Sequence, residues 1–508
     1  VILAKTIKGY GMGAAGEGQN ITHQQKKMDD ESLRRFRDRF AVPISDADLA
    51  KIPFYHPGDD SPEVKYLKAR RSTLGGPFPI RKDEAPALQA PPLEAFASIT
   101  ESTGDREVST TMAFVRGLTT LLRDKTMGPH VVPIVADEAR TFGMEGLFRQ
   151  VAIYSPVGQL YEPVDQAQLL YYRETENGQI LQEGINEAGS LASWISAGTA
   201  YANHGVPMIP FFIFYSMFGF QRVADLIWSG ADARARGFLL GATSGRTTLN
   251  GEGLQHQDGH SHLMAMTVPT CVAYDPTYSY EVAVILQDGL RRMYQERETC
   301  FYYVTLLNEN YGHPALPKGA EEGILRGMYP LRAVEAKVAK GKKAPRVQLM
   351  GSGSILREVE KAAEILANEY GVSSDTWSAT SFTELRKDGL AVDRWNRLHP
   401  TKKPKTSCVA KCLTGREGPV IASTDYMKAY PDLIRPWVDR PFHVLGTDGF
   451  GRSDTREALR RFFEIDRAHV VVAALKALAD EGAVEAKVVE GAIQKFGINP
   501  DAPEPVRS

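Results

Sequence analysis

Cysteine is scarce in this sequence. Four residues, Cys271, Cys300, Cys408 and Cys412, are spread over 508 positions. Small secreted proteins that depend on disulfides have a much higher density of cysteine, so this number excludes a disulfide framework and predicts a reducing, cytoplasmic location. Cys408 and Cys412 lie four positions apart, but a single cysteine pair is a weak signal for a metal site.

Long apolar runs and an excess of one charge are also missing. The longest apolar run, Val206 to Tyr215, contains two prolines and is far shorter than the ~18 residues of a membrane-spanning helix. The formal net charge is −2, so neither nucleic acid nor an anionic membrane is expected as the main partner. The sequence does contain 43% hydrophobic residues, enough for two or three globular domains with cores of their own.

The predicted elements change along the chain. Residues 1–85 are fragmentary, with a strand predicted over residues 1–4 and a glycine-rich loop after it. Because the chain opens on Val1 without a signal-peptide pattern, we expect it to be part of a longer polypeptide. From residue 93 to residue 317, apolar strand-like runs alternate with helical patterns, which predicts a doubly wound α/β domain.

A charged segment over residues 336–345 separates this domain from a second α/β pattern. In that pattern a helix follows GTDGFGRSDT, and its predicted cap is Ser453 or Asp454. Strands are predicted there at residues 347–350, 420–422 and 443–445.

One polar segment follows the strand predicted over residues 237–242. Residues 244–262 read SGRTTLNGEGLQHQDGHSH and contain Glu252, His256, His260 and His262. Such a segment is typical of a loop, and loops at strand ends carry the chemistry of α/β proteins. A polar surface loop, a zinc site and an anion-binding, proton-transfer site are three alternatives. The last is favoured, because histidine titrates near neutral pH and the spacing fits no common zinc pattern.

Two further segments are rich in functional side chains. The segment ADEARTFGMEGLFRQ, residues 136–150, places Asp137 and Glu138 after a predicted strand, with a solvated salt-bridge face as the alternative. The segment FYSMFGFQR, residues 214–222, is an aromatic cluster just past a strand, with ordinary hydrophobic core as the alternative.

A third segment, GQILQEGINEAG, covers residues 178–189 and leads into a helix predicted over residues 184–204. Glu183 and Glu187 lie one helical turn apart and are therefore expected on one face. A carboxylate buried in a helix of small and apolar residues must be paired, or its pKa rises and it takes up a proton.

The four segments together resemble the thiamine-diphosphate-dependent first component of the bacterial pyruvate dehydrogenase complex, in its homodimeric, transketolase-related form. The resemblance extends over essentially all 508 residues. It implies an α/β fold of thiamine-diphosphate-binding, transketolase-like doubly wound domains with a C-terminal α/β domain. The implied bounds are 1–85 for the end of the diphosphate-binding domain plus a linker, 86–317 for the pyrimidine-binding domain and 318–508 for the C-terminal domain.

The resemblance also implies roles for individual residues. Glu187 corresponds to the glutamate that hydrogen-bonds the aminopyrimidine ring of thiamine diphosphate, and the cofactor then acts as the electron sink when pyruvate loses CO2. His23 corresponds to a histidine on a mobile loop that serves acetyl transfer to a lipoyl group. The other implied site residues are Ile185, Tyr215, Phe218, Asp137 and Glu138 around the cofactor, and His256 and Glu252 near the substrate.

One motif of the family is missing. The family holds magnesium and the cofactor diphosphate with Gly-Asp-Gly and a later asparagine, whereas Asp258-Gly259 and Asp448-Gly449 are followed by no asparagine at the required distance. We therefore assign no metal ligand in this chain. Thiamine diphosphate and Mg²⁺ are expected as cofactors, with the site completed by an upstream domain or another polypeptide.

The function implied by the resemblance is oxidative decarboxylation of pyruvate with transfer of the acetyl group to the lipoyl domain of the dihydrolipoyl acetyltransferase component. A homodimer is implied too, because the family pairs the pyrimidine domain of one subunit with the diphosphate domain of the other. A transketolase and another 2-oxo acid dehydrogenase are alternatives. A catalytically silent dimerisation fragment is a third, because the diphosphate motif is absent.

Overall fold

A computed structural model describes residues 2–76, 83–136, 139–164, 172–339, 341 and 343–508. The chain divides into two compact units, Val1–Arg81 and Lys82–Ser508. Among the described residues, none of the helices is both long and apolar enough to cross a lipid bilayer.

The first unit consists of short helices joined by turns. Side-chain oxygens of Asp29, Ser45 and Ser61 each accept a hydrogen bond from a backbone N–H in the following helix, which satisfies a donor left open at the helix start. Its α-helices are α1 (Asp30–Arg39), α2 (Asp46–Leu49) and α3 (Pro62–Thr73).

The strand predicted at residues 1–4 is wrong for the positions that the structure describes. Ile2 and Leu3 lie in no strand and are 95% and 93% exposed. A strand needs a neighbour that bonds its backbone, and residues 2–76 contain none.

The second unit begins with a parallel sheet of six strands, accompanied by a separate pair of two-residue strands. Across the sheet, the order is fourth, first, fifth, sixth, eighth and seventh strand in chain order. The strands are β1 (Val131–Val135), β2 (Ile153–Tyr154), β3 (Glu174–Thr175), β4 (Leu181–Gln182), β5 (Ile209–Tyr215), β6 (Phe238–Ala242), β7 (Cys271–Tyr274) and β8 (Phe301–Thr305), of which β2 and β3 form the separate pair. The helices of this part are α4 (Ala97–Thr100), α5 (Thr110–Leu122), α6 (Glu145–Val151), α7 (Glu187–Asn203), α8 (Phe220–Asp232), α9 (Ser261–Ala265) and α10 (Ser279–Leu290).

Both faces of this sheet are buried. Ile213 and Leu240 pack into a core with residues of α5 and α10, whereas their chain neighbours Phe212 and Leu239 pack into another core with residues of α7 and α8. Successive side chains of a strand point to opposite faces, so an apolar run such as β5 buries both sides. The predicted doubly wound α/β class is confirmed.

A second sheet of five strands follows. Its strands are β9 (Tyr329–Val334), β10 (Arg346–Gly351), β11 (Ser373–Ser378), β12 (Val420–Ser423) and β13 (Phe442–Leu445). They lie in the order β13-β12-β10-β11-β9, and only β9 is antiparallel to its neighbour among the described strands. The helices are α11 (Glu321–Arg326), α12 (Leu356–Glu369), α13 (Phe382–Leu398), α14 (Cys408–Leu413), α15 (Ala429–Asp432), α16 (Arg456–Phe462), α17 (Arg467–Asp480) and α18 (Ala486–Lys495).

Two details of this part differ from the expectation. The strand β11 reads SSDTWS and was not predicted, yet all of its residues are buried. Neighbouring elements bond some of its polar side chains, as Gln348 does by donating to Asp375 at 2.8 Å, whereas the hydroxyls of Ser374 and Thr376 have no hydrogen-bond partner among the described residues. The cap of α16 is Thr455, whose hydroxyl accepts from the N–H of Ala458, and not Ser453 or Asp454.

Within the second unit, residues that follow β7 bond residues that follow β10 and β11. The N–H of Asp275 donates to the carbonyl of Thr380 at 2.8 Å, and the N–H of Gly353 donates to the carbonyl of Asp275 at 3.3 Å. The Asp275 carboxylate accepts from the Thr305 hydroxyl at 2.7 Å and is fully buried. Burial raises the pKa of Asp275 from 3.8 to about 7, because a charge loses its hydration there.

We expect Asp275→Asn to stabilise the protein at pH 8 and to have a clearly smaller effect at pH 5. A carboxyl whose pKa is raised on folding binds its proton more tightly in the folded state, so the folded state loses stability as the pH rises from about 4 to about 7. The difference between the pKa values of Asp275 in the folded and unfolded states corresponds to a loss of stability of about 4 kcal/mol at most. Asparagine has nearly the same shape and no charge, which removes this cost. Thermal unfolding midpoints at the two pH values measure the effect.

Asp425→Asn is the matched control. The buried Asp425 carboxylate accepts four hydrogen bonds, from the N–H and hydroxyl of Thr247 and of Thr248, so an amide must lose acceptors and should lower the midpoint at both pH values. An Asp275→Asn variant that is destabilised equally at pH 5 and pH 8 would contradict the cost assigned to Asp275.

Candidate functional site

Residues from several strand ends and one helix start line a single cavity in the second unit. The cavity has a volume of about 360 Å³ and lies at the carboxyl ends of the parallel strands, where open α/β sheets bind their ligands. Six of the predicted site residues line it, namely Ile185, Glu187, Tyr215, Phe218, Glu252 and His256, and the other lining residues are Ala136, Phe142, Phe214 and Arg222.

Glu187 is placed by the start of α7. The Asn186 side chain caps this helix by accepting from the N–H of Gly189 at 3.0 Å, and Gly184 takes up the left-handed turn before it with a φ of +71°. Glu187 is therefore the first residue of the helix, where the helix dipole stabilises a negative charge. Its side chain is 13% exposed.

Arg222 on α8 holds the carboxylate of Glu187. Its guanidinium lies 3.0 Å from a Glu187 oxygen and is itself 50% exposed. The same guanidinium lies over the Phe218 ring at 3.8 Å from the ring centre, a cation–π contact. One cation thus connects the acidic side of the cavity with its aromatic wall.

Aromatic rings form the opposite wall around His256. The centre of its imidazole lies 5.0 Å from the ring centres of both Tyr215 and Phe218, and Phe142 packs behind Tyr215 at 5.5 Å. Among the described residues, none hydrogen-bonds the buried Nδ1 of His256. The nearest carboxylate, Glu252, is 3.9 Å away, which is an ion-pair distance and too long for a hydrogen bond. A buried ring nitrogen of this kind is available to a ligand.

The loop that carries His256 and Glu252 is anchored at its start. Thr247 and Thr248 donate to Asp425, which follows β12, and Arg246 donates to the carbonyl of Thr447 at 2.7 Å. Residues 243–249 are buried as a result, and residues 250–255 are exposed. A uniformly exposed polar surface loop is therefore the wrong description of residues 244–262.

The three histidines of this loop do not act as a group. His260 contacts Gln221 at 2.7 Å. His262 is buried, hydrogen-bonds Thr305 at 2.9 Å and stacks on Tyr430. Burial lowers the pKa of His262 to about 4, so it is neutral at physiological pH and serves the core. His256 alone of the three lines the cavity, so the anion-binding, proton-transfer site expected in this segment stays a prediction that depends on His256.

Glu183 and Glu187 also separate. Glu183 lies before α7 and accepts from the Ser193 hydroxyl at 2.5 Å, so the two carboxylates do not share a helix face. Glu183 does not line the cavity. The predicted helix began too early because the left-handed Gly184 and the cap Asn186 delay its start.

Three predicted site residues remain to be located. Asp137 and Glu138 fall outside the described residues. His23 belongs to the first unit, where it is exposed in a short 3-10 helix over Asn20–Gln24.

Arg222 and Phe142 were not assigned a role from the sequence. Both stood inside segments that had been singled out, FYSMFGFQR and ADEARTFGMEGLFRQ. The cation at the end of an aromatic run was the available signal for Arg222, since Arg stacks on aromatic rings while pairing with a carboxylate.

Two family models match the chain in sequence order. The model of the pyruvate dehydrogenase E1 component middle domain matches residues 86–314, which contain the parallel sheet. The model of the transketolase-like TK C-terminal domain matches residues 327–466, which contain the five-stranded sheet.

Solved transketolase structures share the fold. The transketolase of Campylobacter jejuni aligns with a TM-score of 0.58 at 14% identity, over 92% of this chain and 61% of that chain. The transketolase of Leishmania mexicana aligns with a TM-score of 0.55 at 15% identity, over 90% of this chain and 56% of that chain. Identity this low establishes the fold alone.

Curated relatives are similar along the entire chain. The pyruvate dehydrogenase E1 component of Pseudomonas aeruginosa is 61% identical over 507 residues, which are 100% of this chain and 57% of the relative. That of Escherichia coli strain K12 is 56% identical over 508 residues, which are 99% of this chain and 56% of the relative. The chain thus spans somewhat more than half the length of these relatives. The chain is thus similar along its whole length to pyruvate dehydrogenase E1 components, and its two family models match in sequence order.

Proposed function

We propose that this chain supplies the pyrimidine-binding half of a thiamine diphosphate site in an enzyme that decarboxylates pyruvate oxidatively. The observation that carries the proposal is the convergence on one cavity of Glu187, an aromatic wall and His256, whose Nδ1 has no hydrogen-bond partner among the described residues. The acetyl acceptor is the lipoyl group of an acyltransferase component. The enzyme acts as a homodimer, at a cytoplasmic location.

The chemistry of the cavity fits the aminopyrimidine half of the cofactor. A flat, polar heteroaromatic ring needs apolar faces and a hydrogen-bonding group at its edge. Phe142, Tyr215 and Phe218 supply the faces, exposed Ile185 stands at the rim, and Glu187 supplies the edge carboxylate. When bound, the cofactor supplies an electron sink for the pair of electrons left by CO2.

The side chains then have separate tasks. Glu187 hydrogen-bonds the ring nitrogen of the pyrimidine and controls the proton there. Arg222 positions the Glu187 carboxylate by pairing with it at 3.0 Å. His256 offers its imidazole to the substrate, and Glu252, whose carboxylate lies 3.9 Å from Nδ1, helps to orient the ring. Asp137 and Glu138 are assigned to the same site by the family resemblance alone.

The half of the site that would hold the cofactor diphosphate and Mg²⁺ has no recognisable motif in this chain. No Gly-Asp-Gly motif with a following asparagine occurs in the sequence, so Mg²⁺ and the diphosphate are held by another segment or polypeptide. We further propose residues 86–317 as the pyrimidine-binding domain and residues 318–508 as the C-terminal domain, with residues 1–85 as the end of the diphosphate domain and a linker. The matched family ranges and the two sheets support this division.

A substrate panel tests the function. The assembled enzyme, meaning this chain together with the polypeptide that supplies the diphosphate site, is given thiamine diphosphate, Mg²⁺ and an artificial electron acceptor. Pyruvate, 2-oxoglutarate and a ketose phosphate are offered in turn, and we expect turnover with pyruvate only. The chain by itself should turn over none of these substrates, because it lacks the contacts to the diphosphate and Mg²⁺ that complete the cofactor site.

Each of the other possible results would identify a different function. Preference for 2-oxoglutarate would identify a different 2-oxo acid dehydrogenase, and transfer from the ketose phosphate would identify a transketolase. An assembled enzyme that binds the cofactor but turns over no substrate would identify a silent dimerisation fragment. Each of these results would overturn the proposal.

A further inference from the structure

The larger unit contains a second cavity, which shares no lining residue with the first. It has a volume of about 330 Å³ and lies between the segment that leads into β9 and the helix α14. Cys408 and Cys412 both line it. The proposed function uses none of its residues.

The two thiols are placed together by the helix. Positions four apart share one face of an α-helix. Cys408 is buried and Cys412 is partly exposed. The neighbouring Cys408 side chain, helped by Arg326 and Arg416, lowers the pKa of the Cys412 thiol, while burial and Asp388 oppose the shift. A thiol held in this way is the more nucleophilic of the pair at neutral pH.

The charges around the cavity favour an anion. Among the described residues that line it, Lys318, Arg326 and Lys411 are cationic and Glu322 is anionic. Glu322 is already paired with Arg326 at 2.9 Å, which leaves the two lysines for a ligand. A cleft lined by one sign of charge raises the local concentration of ligands of the opposite sign.

The other two cysteines provide a contrast. Cys271 is buried at the start of β7, and Cys300 is buried just before β8. Burial raises the pKa of Cys300 to about 11 and that of Cys271 further, because a thiolate loses its hydration there. Neither thiol is expected to react.

We propose that Cys412 is a thiol-modification site that reacts with small anionic disulfides, with Lys318 and Lys411 binding the carboxylates of the reagent. The Cys412 thiolate attacks one sulfur of the reagent, a bond forms between the two sulfurs, and the reagent's own sulfur–sulfur bond breaks. The departing thiolate carries away the electron pair and takes up a proton from water. One disulfide is consumed and one mixed disulfide is formed, so the exchange involves no net oxidation.

The experiment compares three disulfides on the full 508-residue chain. Oxidised glutathione is the anionic probe, 2-hydroxyethyl disulfide the neutral one and cystamine the cationic one. Intact mass follows the rate, peptide mapping locates the adduct, and each rate is divided by that of a free cysteine peptide with the same reagent. We expect one adduct, at Cys412, and a preference of about tenfold for the anionic over the neutral probe.

Matched variants separate reactivity from simple exposure. Cys412→Ser should form no adduct, and Lys318→Gln with Lys411→Gln should remove the preference for the anionic probe. Cys408→Ala should move the midpoint of the pH–rate profile upward, and Cys408→Ser should restore it, because a hydroxyl still donates to the Cys412 sulfur. Equal normalised rates with all three probes, an adduct at another cysteine, or an unchanged profile in Cys408→Ala would each overturn the proposal.

Discussion

Glu187→Gln is expected to lower pyruvate turnover with an artificial electron acceptor by ~10²–10⁴-fold in the assembled enzyme, the usual contribution of a general acid–base group. Glutamine keeps the size of the side chain and still accepts a hydrogen bond from Arg222. It cannot carry a negative charge or exchange a proton. A loss of this size therefore reports the charge of Glu187 and not the shape of the cavity.

Glu183→Gln is the control for this substitution. Glu183 stands four residues earlier, bonds Ser193 and lies outside the cavity, so its amide should leave turnover close to that of the unaltered protein. Cofactor binding is measured in parallel by calorimetry, because a weakly bound cofactor would lower turnover without any change in the chemistry. Equal turnover in Glu187→Gln and Glu183→Gln at saturating cofactor would remove Glu187 from the mechanism.

His23→Ala is expected to leave artificial-acceptor turnover largely intact and to lower acetylation of a lipoyl domain by at least ~10²-fold. Decarboxylation depends on the cofactor and its glutamate, whereas acetyl transfer also needs a group that meets the incoming dithiolane. His23 is exposed in the first unit, in a short helix within the glycine-rich segment. Its assignment rests on the family resemblance of GEGQNITHQQKK.

Both rates are measured on one preparation, beside His56→Ala. His56 is also exposed and belongs to the same unit, and its ring accepts from the N–H of Gly58 at 3.0 Å, so its loss should affect neither rate. A parallel fall of both rates in His23→Ala would assign His23 to substrate binding or loop closure. Two unchanged rates would show that the assignment is wrong.

The sequence by itself determined the fold class and most of the parallel sheet. The run IPFFIFY in β5 is apolar at every position except its final tyrosine. A strand that is buried on both faces requires such a continuous apolar run. The strand predicted over residues 237–242 corresponds to β6, Phe238–Ala242. Such local patterns are sufficient because the apolar period of a segment decides which of its faces can be buried.

The sequence was less informative where burial depends on distant partners. β11 is polar and gave no strand signal, and it is buried because it lies between β10 and β9, where Gln348 of β10 bonds Asp375. The predicted start of α7 was three residues too early, because the cap at Asn186 and the turn at Gly184 determine where this helix begins. Local periodicity does not record either contact.

The candidate site divides in the same way. Six side chains chosen from motifs line one cavity, but the motifs indicated their identity through family resemblance and not through any spacing rule. Only the tertiary structure separated His256 from His260 and His262, because Thr305 and Tyr430, far away in the chain, bury the last of these. It alone placed Arg222 against Glu187 at 3.0 Å. An ion pair between residues 35 positions apart depends on how α7 and α8 pack, and no local pattern of residues specifies that packing.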